Sequence, residues 1–161
     1  MLLKAYPKNK AQVKKLILFC NEILDICKDL GITPILYGSL AYFLYTKDRH
    51  VRVKDIDILV PKDSIKNIDK ALTAKKIRHR LVKREGIIKA FKKGSRIEID
   101  GIFPTSEINL SDSKYTKLGR SRIRVVSFKN LKKIYGQAVK ESKQKAKEYE
   151  RKYLALRKIN L

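Results

Sequence analysis

The sequence has little of what disulfide-stabilised and zinc-binding proteins depend on. Its 161 residues include two cysteines, two histidines and no tryptophan. Cys20 and Cys27 lie in a segment of helical periodicity, which separates them by about 10 Å along the helix axis. A disulfide needs Cα atoms within about 7 Å, so both are predicted to be buried core thiols. Neither His50 nor His79 has a Cys or His at zinc-ligand spacing, so a zinc site and a histidine-based triad are not expected.

Acidic residues are also scarce, and long apolar runs are absent. Sixteen Asp and Glu stand against 39 Lys and Arg, which gives a formal net charge of +23. A hydrophobic content of 43% excludes a disordered polycation. No apolar run reaches the roughly 18 residues of a membrane span, and the N-terminus lacks the apolar stretch of a secretory signal. We therefore expect a cytoplasmic protein.

The apolar pattern predicts alternating helices and strands. Apolar residues from Val13 to Cys27 recur at helical spacing and predict a helix over 9–30. Residues 53–60 alternate in polarity and end at Pro61, which is typical of a strand. The other predicted elements are a strand at 33–37, a buried helix at 40–45, a helix after Asp63-Ser64, strands at 77–84, 87–92 and 96–103 in an antiparallel meander, a loop at 104–118, a strand at 121–127, and helices from Phe128 with Gly136 as a break.

This order of elements favours a single α/β domain with a helical tail. We place the core at residues 1–110. Residues 111–161 then form a basic extension, one strand plus helices, packed on that core.

Two short acidic motifs lie on predicted strands. Because side chains alternate along a strand, Asp55 and Asp57 share one face, about 6.6 Å apart. Glu98 and Asp100 share a face in the same way. Neighbouring strands would bring three or four acids together, and their mutual repulsion would raise at least one pKa. Mg²⁺ prefers such carboxylate oxygens and removes the repulsion, so the pattern indicates a magnesium site.

A glycine and a serine lie where the first predicted strand passes into the buried helix. Gly38 permits close approach of a phosphate, and Ser39 adds a hydroxyl donor beside the unpaired backbone N–H groups of a helix start. We therefore expect a triphosphate to bind here, next to the metal-binding acids.

Each motif alone has a more ordinary explanation. Asp-x-Asp on a strand is usually a solvated face, and Gly-Ser before a helix is usually a turn with an N-cap. The acids of Glu98-Ile99-Asp100 could lie on the solvent-exposed face of an edge strand and pair with lysines. Their occurrence together, in this order, is what favours a catalytic site.

Together, Gly38-Ser39, Asp55-Ile56-Asp57 and the acidic strand at 98–100 resemble the nucleotidyltransferase superfamily that includes DNA polymerase beta. More narrowly, they are similar to small stand-alone and aminoglycoside nucleotidyltransferases. The resemblance covers about residues 10–105. It implies a mixed β-sheet flanked by helices, the nucleotidyltransferase fold. It also implies two Mg²⁺ ions and transfer of a nucleoside monophosphate from a nucleoside triphosphate, with ATP as the expected donor, to a hydroxyl, releasing pyrophosphate.

The resemblance also implies roles for individual residues. Gly38 and Ser39 would hold the triphosphate, Asp55 and Asp57 would bind both metals, and Asp100 would be the third carboxylate. Glu98, on the same strand face, is the second choice for that third position.

Two features depart from the family pattern. Fifteen residues separate Ser39 from Asp55, so Lys47–Lys54 must form an extended loop. Gly101 follows Asp100 where a bulkier apolar residue is more usual.

The positive charge is concentrated in two segments. Residues 66–96 carry 12 basic and 2 acidic residues, and residues 111–161 carry 16 and 4. A lysine-rich solvated surface is one explanation, although such surfaces are normally balanced by Glu. A field of this size attracts polyanions, so we expect RNA as acceptor or partner. A non-catalytic module of the same fold, antitoxin-like or RNA-binding, is the alternative to an enzyme.

Overall fold

The computed structural model describes residues 3, 5–102, 113–142 and 145–159. Over these ranges the chain forms five α-helices and seven strands. The helices are α1 (Lys10–Asp29), α2 (Gly38–Thr46), α3 (Ile65–Ala74), α4 (Phe128–Glu141) and α5 (Ala146–Arg157). The strands are β1 (Ile35–Tyr37), β2 (Ile56–Pro61), β3 (His79–Val82), β4 (Ile87–Lys92), β5 (Ser95–Ile102), β6 (Lys114–Leu118) and β7 (Ser121–Val125).

All seven strands belong to one mixed sheet, in the order β3-β4-β5-β2-β1-β7-β6. The pairs β2–β5 and β1–β7 are parallel, and the remaining neighbours are antiparallel. The predicted α/β class, a mixed sheet flanked by helices, is confirmed. So is the antiparallel meander of β3, β4 and β5.

Helix α1 supplies much of the core, because its apolar residues recur every three or four positions and face the sheet. Cys20 and Cys27 are fully buried free thiols within it, as predicted. No helix in the described ranges combines the length and apolarity needed to cross a membrane.

The connection between α2 and β2 positions the first acidic motif. Helix α2 ends at Thr46, and Lys47 caps it in the left-handed conformation. An irregular segment follows up to Asp55, which confirms the predicted loop. The amide of Asn9 anchors this loop: its Nδ2 donates to the carbonyl of Val53 at 2.6 Å, and its Oδ1 accepts from the Val53 amide at 3.0 Å. Val53 therefore belongs to the loop, and β2 begins at Ile56, three residues later than predicted.

Two sequence-based predictions in the second half of the chain were wrong. Lys114–Leu118, inside the predicted loop 104–118, forms strand β6; residues 103–112 of that loop lie outside the described ranges. Helix α4 continues through Gly136 instead of breaking there. A β-carbon at Gly136 would come within 3.3 Å of the ring of Tyr153, so this glycine permits close packing of α4 against α5.

Candidate active site

Three carboxylates meet where β2 and β5 begin to run side by side. Asp55 directly precedes β2, Asp57 lies within it, and Glu98 lies opposite Asp57 in the parallel register with β5. One oxygen from each carboxylate lies within 4.8 Å of the other two. The side chains are half-buried, so they are shielded but open to a ligand. We call Asp55, Asp57 and Glu98 the acidic triad.

Asp100 is not part of this group. It lies two residues further along β5, level with Leu59 of β2 and Ile87 of β4. Its Oδ1 is buried without a hydrogen-bond partner among the described residues, and burial raises the pKa of Asp100 to about 7. The assignment of Asp100 as the third metal-binding carboxylate stays a prediction, and the geometry favours Glu98, the second choice, for that position.

The glycine after Asp100 has a packing explanation. A β-carbon at Gly101 would lie 2.8 Å from Cγ1 of Ile65 and 3.1 Å from the carbonyl oxygen of Gly86. Real β-carbons essentially never approach as closely as the first of these. A bulkier residue is therefore excluded here by the 3₁₀ turn at Lys62–Ser64 and the start of α3, not by the chemistry of the site.

Gly38 lies against the acidic triad at the first residue of α2. Its φ of +73° is a conformation that non-glycine residues rarely adopt. A β-carbon there would overlap Oδ2 of Asp57. The glycine thus brings the N-terminus of α2 up to the carboxylates, so that a phosphate bound to the helix N–H groups would lie beside them.

The negative charge of the triad is partly compensated by Arg96. Its guanidinium forms an ion pair with Asp55, and its Nε donates to Oδ2 of Asp55 at 3.0 Å. Within the described part of the chain Asp57 has no such ion-pair partner, and burial, followed by the charges of Asp55 and Glu98, raises the pKa of Asp57. The site therefore disfavours a third negative charge until a cation enters. The hard oxygens of this donor set suit Mg²⁺, and its charge would relieve the repulsion.

A buried lysine completes the site. The sequence did not indicate it as a site residue. Lys152 of α5 is 2% exposed, and its Nζ donates to Oγ of Ser39 at 2.8 Å. The same ammonium lies 3.3 Å from Oε1 of Glu148 and within 6 Å of the ring centres of Tyr42 and Tyr135. Burial lowers the pKa of Lys152. One lysine among so many carries no distinguishing sequence signal, because only the packing of α5 reveals its position.

These groups line a single cleft of about 440 Å³. It contains the triad, the Gly38-Ser39 turn and several cations from distant parts of the chain: Arg52, Lys54, Lys89, Arg96, Lys145 and Lys152. Acids able to hold a divalent cation thus lie beside donors able to hold phosphate oxygens.

Comparisons with solved structures agree with this architecture, whereas comparisons of sequence do not identify a relative. No family model and no curated sequence matches the chain. Among solved structures, it is similar to the antibiotic-resistance factor ANT(2'')-Ia, with a TM-score of 0.67, 12% identity, and coverage of 89% of this chain and 83% of that one. It is also similar to the lincosamide antibiotic adenylyltransferase LnuA in its lincomycin-bound form, with a TM-score of 0.59, 14% identity, and coverage of 89% and 96%.

A third similar structure is the Megavirus polyadenylate synthase. Its TM-score is 0.55 at 16% identity, and the match covers 92% of this chain and 34% of the viral one. The shared feature is the mixed sheet with its flanking helices. The chain therefore has the nucleotidyltransferase fold.

Proposed function

We propose that the protein is a metal-dependent nucleotidyltransferase that moves a nucleoside monophosphate from a nucleoside triphosphate to a hydroxyl group and releases pyrophosphate. One observation carries the proposal: carboxylates from two parallel strands meet beside a glycine that opens a helix. No structural role explains why this basic chain, with few acids, would bring oxygens of three of them within 4.8 Å of one another.

The acidic triad would hold two Mg²⁺ ions. Such ions, when bound, supply the charge that stabilises the attacking and leaving oxygens of phosphoryl transfer. In this assignment Glu98 takes the position of the third carboxylate, because it lies level with Asp57 across the β2–β5 pair. Glu98 would also accept the proton of the acceptor hydroxyl.

The start of α2 would hold the triphosphate. Gly38 opens α2, and the first N–H groups of a helix have no acceptor within the helix, so they can donate to a phosphate oxygen, while Ser39 contributes a hydroxyl. Lys152 adds a positive charge at that hydroxyl, and its buried ammonium lacks the water shell that would otherwise compete with phosphate. Its partner Glu148 is about half exposed, so it can turn towards solvent as phosphate takes its place.

We take ATP as the donor. The support is that two of the similar structures, a lincosamide antibiotic adenylyltransferase and a polyadenylate synthase, are enzymes that transfer adenylate. The adenine itself would occupy the remainder of the cleft, where the half-buried Tyr37 and Tyr149 supply aromatic surface.

The test is a transfer assay with the four nucleoside triphosphates, each labelled at the α-phosphate, with Mg²⁺ and three acceptor pools: cellular RNA, small metabolites and protein. We expect label from ATP in one pool, and loss of more than 100-fold on Asp57→Asn. Asp63→Asn is the matched control, because Asp63 is an exposed acid on the 3₁₀ turn outside the cleft. Absence of transfer in every pool, with folded protein, would contradict the proposal.

A non-catalytic module of the same fold is the second candidate. The observation in its favour is Arg96, because its ion pair with Asp55 satisfies one acid without a metal. Under that alternative Mn²⁺, a paramagnetic substitute for Mg²⁺, would not bind the free protein at millimolar concentration, whereas the enzyme proposal expects binding.

A further inference from the structure

The strand register aligns the acidic triad with a row of cations. Arg80 of β3 lies opposite Lys89 of β4, and Lys89 lies opposite Glu98 of β5, which in turn lies beside Asp57. Paired residues on adjacent strands project from the same face of a sheet. One row across four strands thus changes from positive to negative and ends at the proposed metal site.

A parallel row contains an aromatic platform. Phe91 of β4 lies opposite Arg96, and the guanidinium carbon of Arg78 lies 5.1 Å from the centre of the Phe91 ring. Arg96 in turn reaches Asp55. This second row leads from Arg78, the residue directly before β3, to the acidic triad.

Both rows lie on the face of the sheet opposite α1 and α3. His79, which alternates with Arg80, contacts Asp69 of α3 through its Nε2 at 2.8 Å. Lys92, which alternates with Phe91, donates to Glu22 of α1. Those helices therefore cover the other face. On the face of the two rows, Arg78 and Arg80 are exposed.

We propose that Arg78, Arg80, Lys89 and Phe91 form a binding track for a single-stranded nucleic acid whose terminal hydroxyl is the acceptor. This inference rests on the proposed function, because it names the acceptor of that same site. Cations with an interleaved aromatic ring match a phosphate backbone with unstacked bases. A small neutral acceptor would gain nothing from charges at the sheet edge, about 10 Å from Glu98 across two strand spacings.

The direction of the charge row supports this placement. Phosphates would be attracted along β3 and β4 and repelled by the acids at Glu98. Only an uncharged end group, such as a sugar hydroxyl, can proceed into the cleft without that repulsion. The rows thus favour a strand bound along β3 and β4 with an unphosphorylated end at the cleft.

The test is equilibrium binding of fluorescent 12-nucleotide RNA and DNA strands in EDTA, without nucleotide, so that it does not depend on catalysis. The variant Arg78→Ala/Arg80→Ala is compared with Lys66→Ala/Lys70→Ala, which removes equal charge from exposed positions on α3. Each lost phosphate contact lowers the salt slope by about 0.7. We therefore expect the track variant to lower the salt slope by about 1.4. Over the tenfold change from 1 M to 0.1 M salt, the loss of affinity caused by the substitutions should then grow by a factor of about 25.

The control variant should weaken binding less than threefold. Equal weakening by both variants would overturn the proposal, because it would show attraction by the overall charge alone. The proposal would also be overturned if the wild-type protein bound neither the RNA strand nor the DNA strand. If the alanine variant does not fold by circular dichroism, Arg78→Gln/Arg80→Gln replaces it. A binding result of either kind is independent of the α-labelled transfer assay, so failure of the track and failure of the enzyme proposal are distinguishable.

Discussion

Glu98 and Asp100 can be distinguished by amide substitutions that conserve side-chain volume. Glu98→Gln removes one of the three grouped carboxylates, whereas Asp100→Asn removes a carboxylate outside the group. With an effective dielectric constant of about 20, a negative charge about 4 Å from a divalent cation contributes about 8 kcal/mol of attraction. If half of this remains after desolvation, the lost 4 kcal/mol corresponds to about 1000-fold in rate.

The assay is the initial rate of labelled AMP transfer over a range of Mg²⁺ concentrations, with Mn²⁺ binding measured in parallel. We expect Glu98→Gln to lose about 1000-fold in rate and to bind Mn²⁺ more weakly. Asp100→Asn should remain within about threefold of wild type, because the Asp100 carboxylate lies outside the group. The reverse result, with Asp100→Asn inactive and Glu98→Gln active, would refute the reasoning from the β2–β5 register.

Three further substitutions or reactions test other parts of the structure. Gly38→Ala should abolish transfer and lower the free energy of unfolding by more than about 1 kcal/mol, because the methyl group meets Asp57 in a strained backbone conformation; a stable, active variant would contradict this. Lys152→Met should raise the KM for ATP at least tenfold while far-UV circular dichroism stays unchanged; an unaltered KM would remove Lys152 from the phosphate site. Because burial raises the pKa of the Cys27 thiol to about 12 and also raises that of Cys20, both should react with a disulfide reagent at pH 8 only after unfolding; rapid reaction of the native protein would place them elsewhere.

The local features of the site could be predicted from the sequence because they depend on short-range rules. Alternation along a strand puts Asp55 and Asp57 on one face, and a glycine between a strand and a helix permits a tight turn. The structure retains both features. It adds that Gly38 leaves room for the side chain of Asp57.

The choice between Glu98 and Asp100 could not be made in the same way. Alternation gives both acids the same face, and only the register between β2 and β5 decides which one lies level with Asp57. The pairing register depends on the packing of the whole sheet, so it cannot be predicted from the sequence of either strand alone.

The remaining discrepancies also arise from tertiary context. Strand β6 has one buried residue, Leu118, so it lacks the apolar alternation that reveals a strand. Gly136 indicates a break by propensity alone, but the neighbouring Tyr153 occupies the space that a side chain would need. The edge position of β6 in the sheet explains why only one of its residues is buried, and the close packing of α4 against α5 explains Gly136.

The contact between Lys152 and Ser39 joins positions 113 residues apart. The residues of the acidic triad all lie between α2 and the end of β5, whereas this ammonium comes from α5. The charge beside the Ser39 hydroxyl therefore depends on how α5 packs against α2, so a substitution that loosens that helix would alter the electrostatics of the cleft without touching any of the acids.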